Sequence, residues 1–296
     1  AMKTGLILEG GAMRGMYTAG VLDVMMENNI WVDGAVGVSA GAVFGCNYKS
    51  KQIGRTIRYN KKYGRDPRYA GFHSLLKTGD YFGTEFCYHE IPEKLDPFDS
   101  ETFQKNPAEF YVVGTDVTTG KAVYHKCTTG IDKDLEWFRA SASMPLLSNI
   151  VEVDGYKLLD GGIADSIPLE WFRSIGYRRN IIILTRDKTY HKKKNKMIPL
   201  FKTLLHKYPE VAKAMKQRHI MYNEELRLVE EQEKAGKALV IRPSEPITIS
   251  RTENDPEKLE EVYQLGRKDG IANLKKMRTF IRTAKVDSDP LDAREK

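Results

Sequence analysis

Two short apolar segments, each running into a glycine-rich turn and then into a helix-forming stretch, stand close together at the start of the chain. Leu6-Ile7-Leu8 leads into Glu9-Gly10-Gly11, and Val21, Leu22 and Met25 then recur at helical spacing. Ala35-Val36-Gly37-Val38 repeats the pattern, turning at Ser39 into a small-residue helix through Ala42 and Phe44. Successive strand-loop-helix units lay their strands parallel, because the helix carries the chain back across the sheet. The expected fold is α/β, a three-layer α/β/α arrangement around a mostly parallel central sheet.

Later segments extend this plan. Strand-like stretches at 110–117 and 122–125 flank Thr118-Thr119-Gly120, and 151–153 and 156–159 flank Asp154-Gly155, a strong hairpin signal. The continuous apolar run at 180–184 reads as a fully buried strand, and 238–241 as another. Helix formers dominate 210–237, and a further helix is predicted from 256 to about 280. Without a repeat or an obvious linker, residues 1–296 read as a single domain. Its motif-bearing part is 6–186, followed by a helical and strand extension over 187–284 and a tail, 285–296, expected to fray. The least regular insertion is 49–107.

Gly37-Val38-Ser39-Ala40-Gly41 fits the G-x-S-x-G nucleophile elbow, with Gly37 and Gly41 leaving room for a tight turn that pushes the serine hydroxyl out at a helix N-terminus. The alternative is a small-residue turn that only packs a helix onto a sheet. Gly10-Gly11-Ala12-Met13-Arg14-Gly15 is a second glycine loop, whose consecutive N–H groups suit an oxyanion hole. A plain turn or a phosphate loop is the other reading, although the spacing matches neither G-x-G-x-x-G nor G-x-x-x-x-G-K-[ST].

A serine hydroxyl needs a base. His73, His89, His125, His191, His206 and His219 sit in no triad motif, and surface roles suit them better. Asp160-Gly161-Gly162 differs, because it closes a predicted strand with a carboxylate beside permissive backbone. Read alone, it is better taken as a turn with an ordinary surface aspartate.

Taken together, these segments resemble the patatin-like phospholipases, which carry a D-G-G-G-x-R-G loop, a G-x-S-x-G elbow and a D-G-[GA] base motif in that order. The resemblance runs from Leu6 to about Arg186 and includes the small-residue segment Ala140-Ser141-Ala142-Ser143-Met144-Pro145. Glu9 stands where the family has aspartate, and Ala12 where it has the third glycine. An L-residue at Ala12 is disfavoured if that site needs positive φ. The resemblance implies a patatin-like fold and a Ser-Asp dyad: Ser39 attacks an ester carbonyl, Asp160 takes its proton, and the Gly10–Gly15 amides stabilise the oxyanion. Asp165 is the fallback base. No metal or cofactor is required, and the expected substrate is a phospholipid, lysophospholipid or other ester. A thioesterase or acyltransferase would use the same residues, and a dormant member would bind lipid or protein without turnover.

Lys+Arg number 47 against 40 Asp+Glu, a formal charge of +7, which suits anionic partners. Lys188, Lys192, Lys193, Lys194 and Lys196 concentrate that charge just after the 180–184 strand, at the sheet edge where α/β sites lie, and could meet anionic lipid head groups. Arg58, Tyr59, Lys61, Lys62 and Tyr63 mix cations with aromatics, but no nucleic-acid motif accompanies them, and no nucleic acid is expected. Cys46, Cys87 and Cys127 show no paired spacing and are expected to be free thiols. The uncharged stretch 34–48 falls short of the roughly 20 apolar residues of a membrane span. Ala1 before Met2 reads as a cloning remnant, and the expected location is cytoplasmic, peripheral to a membrane.

Overall fold

Several strands of this chain are apolar on both faces, and the computed structural model, which describes residues 2–286, shows why. The described strands are β1 (Thr4–Leu8), β2 (Gly34–Val38), β3 (Glu109–Asp116), β4 (Ala122–Cys127), β5 (Val151–Val153), β6 (Tyr156–Asp160), β7 (Arg179–Ile183) and β8 (Ala238–Ile241). They form one sheet along the path β5-β6-β3-β2-β1-β7-β8, with β4 also paired to β3. The run β3-β2-β1-β7-β8 is parallel, and β4, β5 and β6 join it antiparallel. Asp154 (φ 52°) and Gly155 (φ 78°) make the β5–β6 turn with both centres left-handed, the geometry that matches strand twist.

The helices are α1 (Gly15–Glu27), α2 (Ala40–Lys49), α3 (Arg55–Tyr63), α4 (Phe72–Thr78), α5 (Ser100–Lys105), α6 (Lys133–Ser141), α7 (Leu169–Ser174), α8 (Ile198–Leu204), α9 (Pro209–Lys234), α10 (Pro256–Ala272) and α11 (Leu274–Val286). Side chains alternate along each strand. Leu6, Leu8, Ile181 and Ile183 therefore pack on one face with Met16, Met25 and Phe44 of α1 and α2 and with Leu259 of α10. Ile7, Val36, Val38 and Ile182 pack on the other with Leu169 and Phe172 of α7 and Tyr222 and Val229 of α9. This is the expected three-layer α/β/α fold.

The region after Arg186 shares these cores. Strand β8 extends the parallel sheet beyond β7, and α10 is tied to α1 by hydrogen bonds from Tyr17 Oη to Asp269 at 2.8 Å and from Tyr263 Oη to Asp23 at 2.5 Å. Two expectations need correction. Residues 49–107, expected to be the least regular insertion, nevertheless hold α3, α4, a π-helical stretch over Phe86–Leu95 and α5. The single helix expected from 256 is two, α10 and α11, separated at Asn273, whose side chain bonds the Asp269 carbonyl at 2.7 Å and competes with helix continuation. The tail expected to fray lies outside the described residues from 287 onward.

Candidate active site

Strand β3 brings the two motifs together. Along one edge it pairs with β4, Val113 with Tyr124 and Gly114 with Val123. Along the other it pairs with two strands meeting end to end: Val113 faces Val38, the last residue of β2, and Gly114 faces Asp160, the last residue of β6. One step along a strand is about 3.3 Å, so the residue that leaves β2, Ser39, emerges beside the residue that ends β6. The Ser39 side chain accordingly lies near enough to the Asp160 carboxylate to lower its pKa, and both residues line one cavity.

Ser39 has φ 56° and ψ −123°, a conformation that an L-residue adopts only when its surroundings impose it. Its N–H donates to Ser141 Oγ at 2.8 Å. Gly37 lies buried inside β2 behind the turn, and a Cβ on Gly41 would lie 2.3 Å from the Leu8 carbonyl oxygen, so the helix starts close against β1 only because that atom is missing. Asp160 is 3% exposed. Its N–H donates to the Ser143 carbonyl at 2.8 Å, and its Oδ1 accepts from Gly162 N–H at 2.7 Å. The segment containing Ser141 and Ser143 thus holds both the elbow and the carboxylate. Burial pushes the Asp160 pKa above the usual carboxylate value, opposed first by the nearby Arg218 guanidinium, then by the Gly162 N–H, Ser39 and Arg251.

The glycine loop faces the same cavity through Gly10, Gly11, Ala12, Met13 and Arg14. Ala12 takes φ 49°, the positive value an L-residue disfavours, within the single 3-10 turn Ala12–Arg14. Two of the expected donors point inward, because Arg14 N–H bonds the Gly11 carbonyl at 3.0 Å and Gly15 N–H turns back on the Ala12 and Met13 carbonyls. Gly15 is not among the lining residues, whereas Gly162 is. Gly161 is buried in the turn that follows Asp160.

Glu9, in place of the shorter aspartate, is 3% exposed and accepts from Thr185 N–H at 3.1 Å, Thr185 Oγ1 at 2.9 Å and Tyr222 Oη at 2.7 Å. It ties the glycine loop to the end of β7 and to α9.

No histidine is among the residues lining this cavity. His125 stacks on Trp137 at 4.6 Å and its Nε2 lies 2.7 Å from Asp134. Asp165, the fallback base, faces elsewhere, with its carboxylate on Tyr124 Oη at 2.5 Å and beside Glu225. Of the five lysines after β7, Lys192 lines the cavity, Lys194 and Lys196 line a separate surface depression with Ile198 and Lys202, and Lys188 and Lys193 are exposed. Sequence reasoning missed Arg186, Tyr190, Arg218, Tyr222 and Arg251, all of which line the cavity. The one pattern available was the four-residue spacing of Arg218 and Tyr222 on α9, which any helix offers.

A serine elbow at the carboxyl end of a parallel strand, inside a sheet covered on both faces, puts the molecule among the nucleophile-elbow α/β proteins. More narrowly, the chain belongs to the patatin-like phospholipase family, whose model matches residues 6–172; a domain of unknown function, DUF6363, matches residues 208–282. It is 26% identical over 185 residues to lysophospholipase nte1 of Aspergillus niger, which covers 59% of this chain and 11% of that protein. Neuropathy target esterase sws of Drosophila melanogaster is 27% identical over 184 residues, covering 60% of this chain and 12% of that protein. The chain therefore spans a small part of the length of these curated relatives. Among solved structures, VipD from Legionella pneumophila aligns with a TM-score of 0.47 at 12% identity, covering 94% of this chain and 67% of VipD. No described helix is long and apolar enough to cross a membrane.

Proposed function

We propose that the protein is a serine lipid acyl hydrolase of phospholipase A or lysophospholipase type, working through a Ser39–Asp160 dyad. The observation that carries this reading is the buried Asp160 carboxylate at the end of β6, beside the Ser39 turn at the end of β2, in a cavity that both residues line and whose lining contains no histidine. Desolvation makes the carboxylate a stronger base than a solvated aspartate, which a hydroxyl nucleophile requires. Ser39 Oγ attacks the ester carbonyl as Asp160 takes its proton, and the oxyanion faces the amides of Gly11, Ala12 and Met13. Each such donor contributes on the order of 3 kcal/mol to the transition state. Asp160 returns the proton to the leaving alcohol, and water, activated by the same carboxylate, then releases the fatty acid from Ser39.

Hydrolysis of p-nitrophenyl butyrate and of a lysophospholipid tests this. Ser39→Ala and Asp160→Asn are each expected to lose about a thousandfold or more in kcat while remaining folded. Turnover needs the ionised carboxylate, so activity should fall as pH drops through a value above the ordinary aspartate range. An active Asp160→Asn variant would remove the carboxylate from the base role.

We further propose that the protein meets anionic membranes through the loop after β7. Met197, Leu200 and Leu204 are 45%, 42% and 51% exposed next to Lys193, Lys194, Lys196 and Lys202, the mixture of apolar and cationic groups that suits a lipid interface. Neutralising Lys193, Lys194 and Lys196 together should weaken sedimentation with phosphatidylglycerol vesicles by about 1 kcal/mol per lysine. Undiminished binding would refute this contact.

A further inference from the structure

Arg14, Arg186, Lys192, Arg218 and Arg251 all line the cavity that holds Ser39, and none of them makes a salt bridge to a carboxylate among the described residues. Elsewhere exposed arginines are commonly paired, Arg58 with Asp96 at 2.7 Å and Arg68 with Asp66 at 2.7 Å for example. Of the five, Arg14 and Arg218 are the most sheltered. Arg14 is 8% exposed, and the Nε atoms of Arg14 and Arg218 are buried without a hydrogen-bond partner. Leaving such groups unmatched is costly, and an incoming anion offsets that cost.

The cluster is also held in place. Arg186 lies 4.3 Å over the Tyr190 ring and Lys192 lies 5.5 Å over the Tyr222 ring, while Tyr190 and Tyr222 pack edge to face at 6.0 Å. Arg218 reaches in over the base motif, where its Nη2 lies 3.0 Å from the point a Cβ on Gly162 would occupy, so glycine at 162 gives the guanidinium its room. Burial and the surrounding guanidinium groups of Arg218, Arg251, Arg14 and Arg186 lower the Lys192 pKa to about 7. Burial, with Arg186 beside it, lowers that of Arg14 to about 10. The three carboxylates that line the cavity are already engaged: Glu9 accepts from Thr185 and Tyr222, Asp160 from Gly162, and Asp80 from Thr84 and Asn149.

We infer that these five cations form a phosphate subsite beside the dyad, which takes the phosphomonoester head group of a glycerophospholipid or lysophospholipid. The inference rests on the hydrolase reading only for its lipid; the anion chemistry stands on the cluster itself. A phosphomonoester brings up to two negative charges and three acceptor oxygens to donors that lack acceptors. A choline head group would bring a quaternary ammonium into the same cationic wall and is disfavoured. The segment matched by the domain of unknown function supplies Arg218 and Arg251 to this subsite.

Calorimetric titration of full-length Ser39→Ala with glycerol 3-phosphate, inorganic phosphate and glycerophosphocholine tests this without turnover. Glycerol 3-phosphate should bind at least about tenfold more tightly than either of the others, and Arg251→Gln in the same background should weaken it about tenfold. Arg251 is exposed, so its replacement leaves the core intact where Arg218→Gln could disturb Asp160. In active protein, Arg251→Gln should lower the kcat/KM ratio of 1-acylglycerol 3-phosphate to monoacylglycerol about tenfold. Equal binding of glycerophosphocholine, or an Arg251→Gln variant with unchanged binding and ratio, would overturn the subsite. Inorganic phosphate binding as tightly as glycerol 3-phosphate would overturn its assignment to a head group. A parent protein that hydrolyses no ester would refute the dyad reading while leaving phosphate binding to Ser39→Ala as the measure of the subsite.

Discussion

One wall of the cavity comes from the strand ends and turns before Thr185, and the other from side chains that follow it. On the first wall the groups proposed to carry the chemistry are largely backbone, or are fixed by backbone: the amides of Gly11 to Met13, Ser39 on its forced turn, and Asp160 held between the Ser143 carbonyl and the Gly162 N–H. On the second wall they sit at the tips of long side chains, Arg186, Lys192, Arg218 and Arg251, steadied by Tyr190 and Tyr222. Main-chain placement suits chemistry that tolerates errors of only a fraction of an ångström. Long cationic side chains suit a head group that must be gripped by charge and allowed to leave. Of the cavity's cations, Arg218 and Arg251 lie in the part of the chain that matches the second family model, Arg14 lies in the patatin-like part, and Arg186 and Lys192 lie between the two.

The sharpest way to break that division is at Ser141. Its hydroxyl accepts the Ser39 N–H at 2.8 Å and helps to hold the serine at φ 56°. Removing a buried acceptor costs about 1–3 kcal/mol, and an elbow free to relax would move the nucleophile away from Asp160. Ser141→Ala should therefore lower kcat roughly tenfold to a hundredfold, with a smaller change in KM, as read from steady-state ester hydrolysis. If kcat is unaffected, the glycines alone fix the turn, and hydrogen bonding from the 140–145 segment is not part of the first wall's design.

The same division explains what the sequence reveals. Strand-end geometry demands particular residue types at fixed spacing. Gly41 must be glycine because of the Leu8 carbonyl, and Asp154-Gly155 must accept two left-handed residues. Such constraints leave marks that can be read without coordinates, which is why the parallel sheet, the β5–β6 hairpin and the Ser39 turn could all be anticipated. Nothing comparable marks Arg218 or Arg251. An arginine on a helix or in a loop looks the same whether it faces solvent or a cavity, and only the packing of α9 against the sheet directs Arg218 toward Asp160. The basic run after β7 shows the same limit, since nothing in it tells that Lys192 alone of its five lysines lines the cavity. Residues 49–107 looked irregular because their helices are short and carry few buried apolar residues, α4 having none.

Tyr222 is where the two walls are joined, and Tyr222→Phe is the gentlest test of their connection. The substitution keeps the ring under Lys192 and the edge contact with Tyr190, and removes only the hydroxyl that donates to Glu9 Oε2 at 2.7 Å. Glu9 would retain its two contacts from Thr185, so the buried carboxylate loses one donor of three. The expected loss is about 1–2 kcal/mol of stability, measured by urea unfolding, with the dyad still in place. The longer side chain at Glu9, where the resembled D-G-G-G-x-R-G motif begins with aspartate, would then be explained by its reach to α9. If stability is unchanged, the packing of α9 against Ile182 and Phe172 is sufficient to hold the cationic wall, and the departure at Glu9 needs another cause.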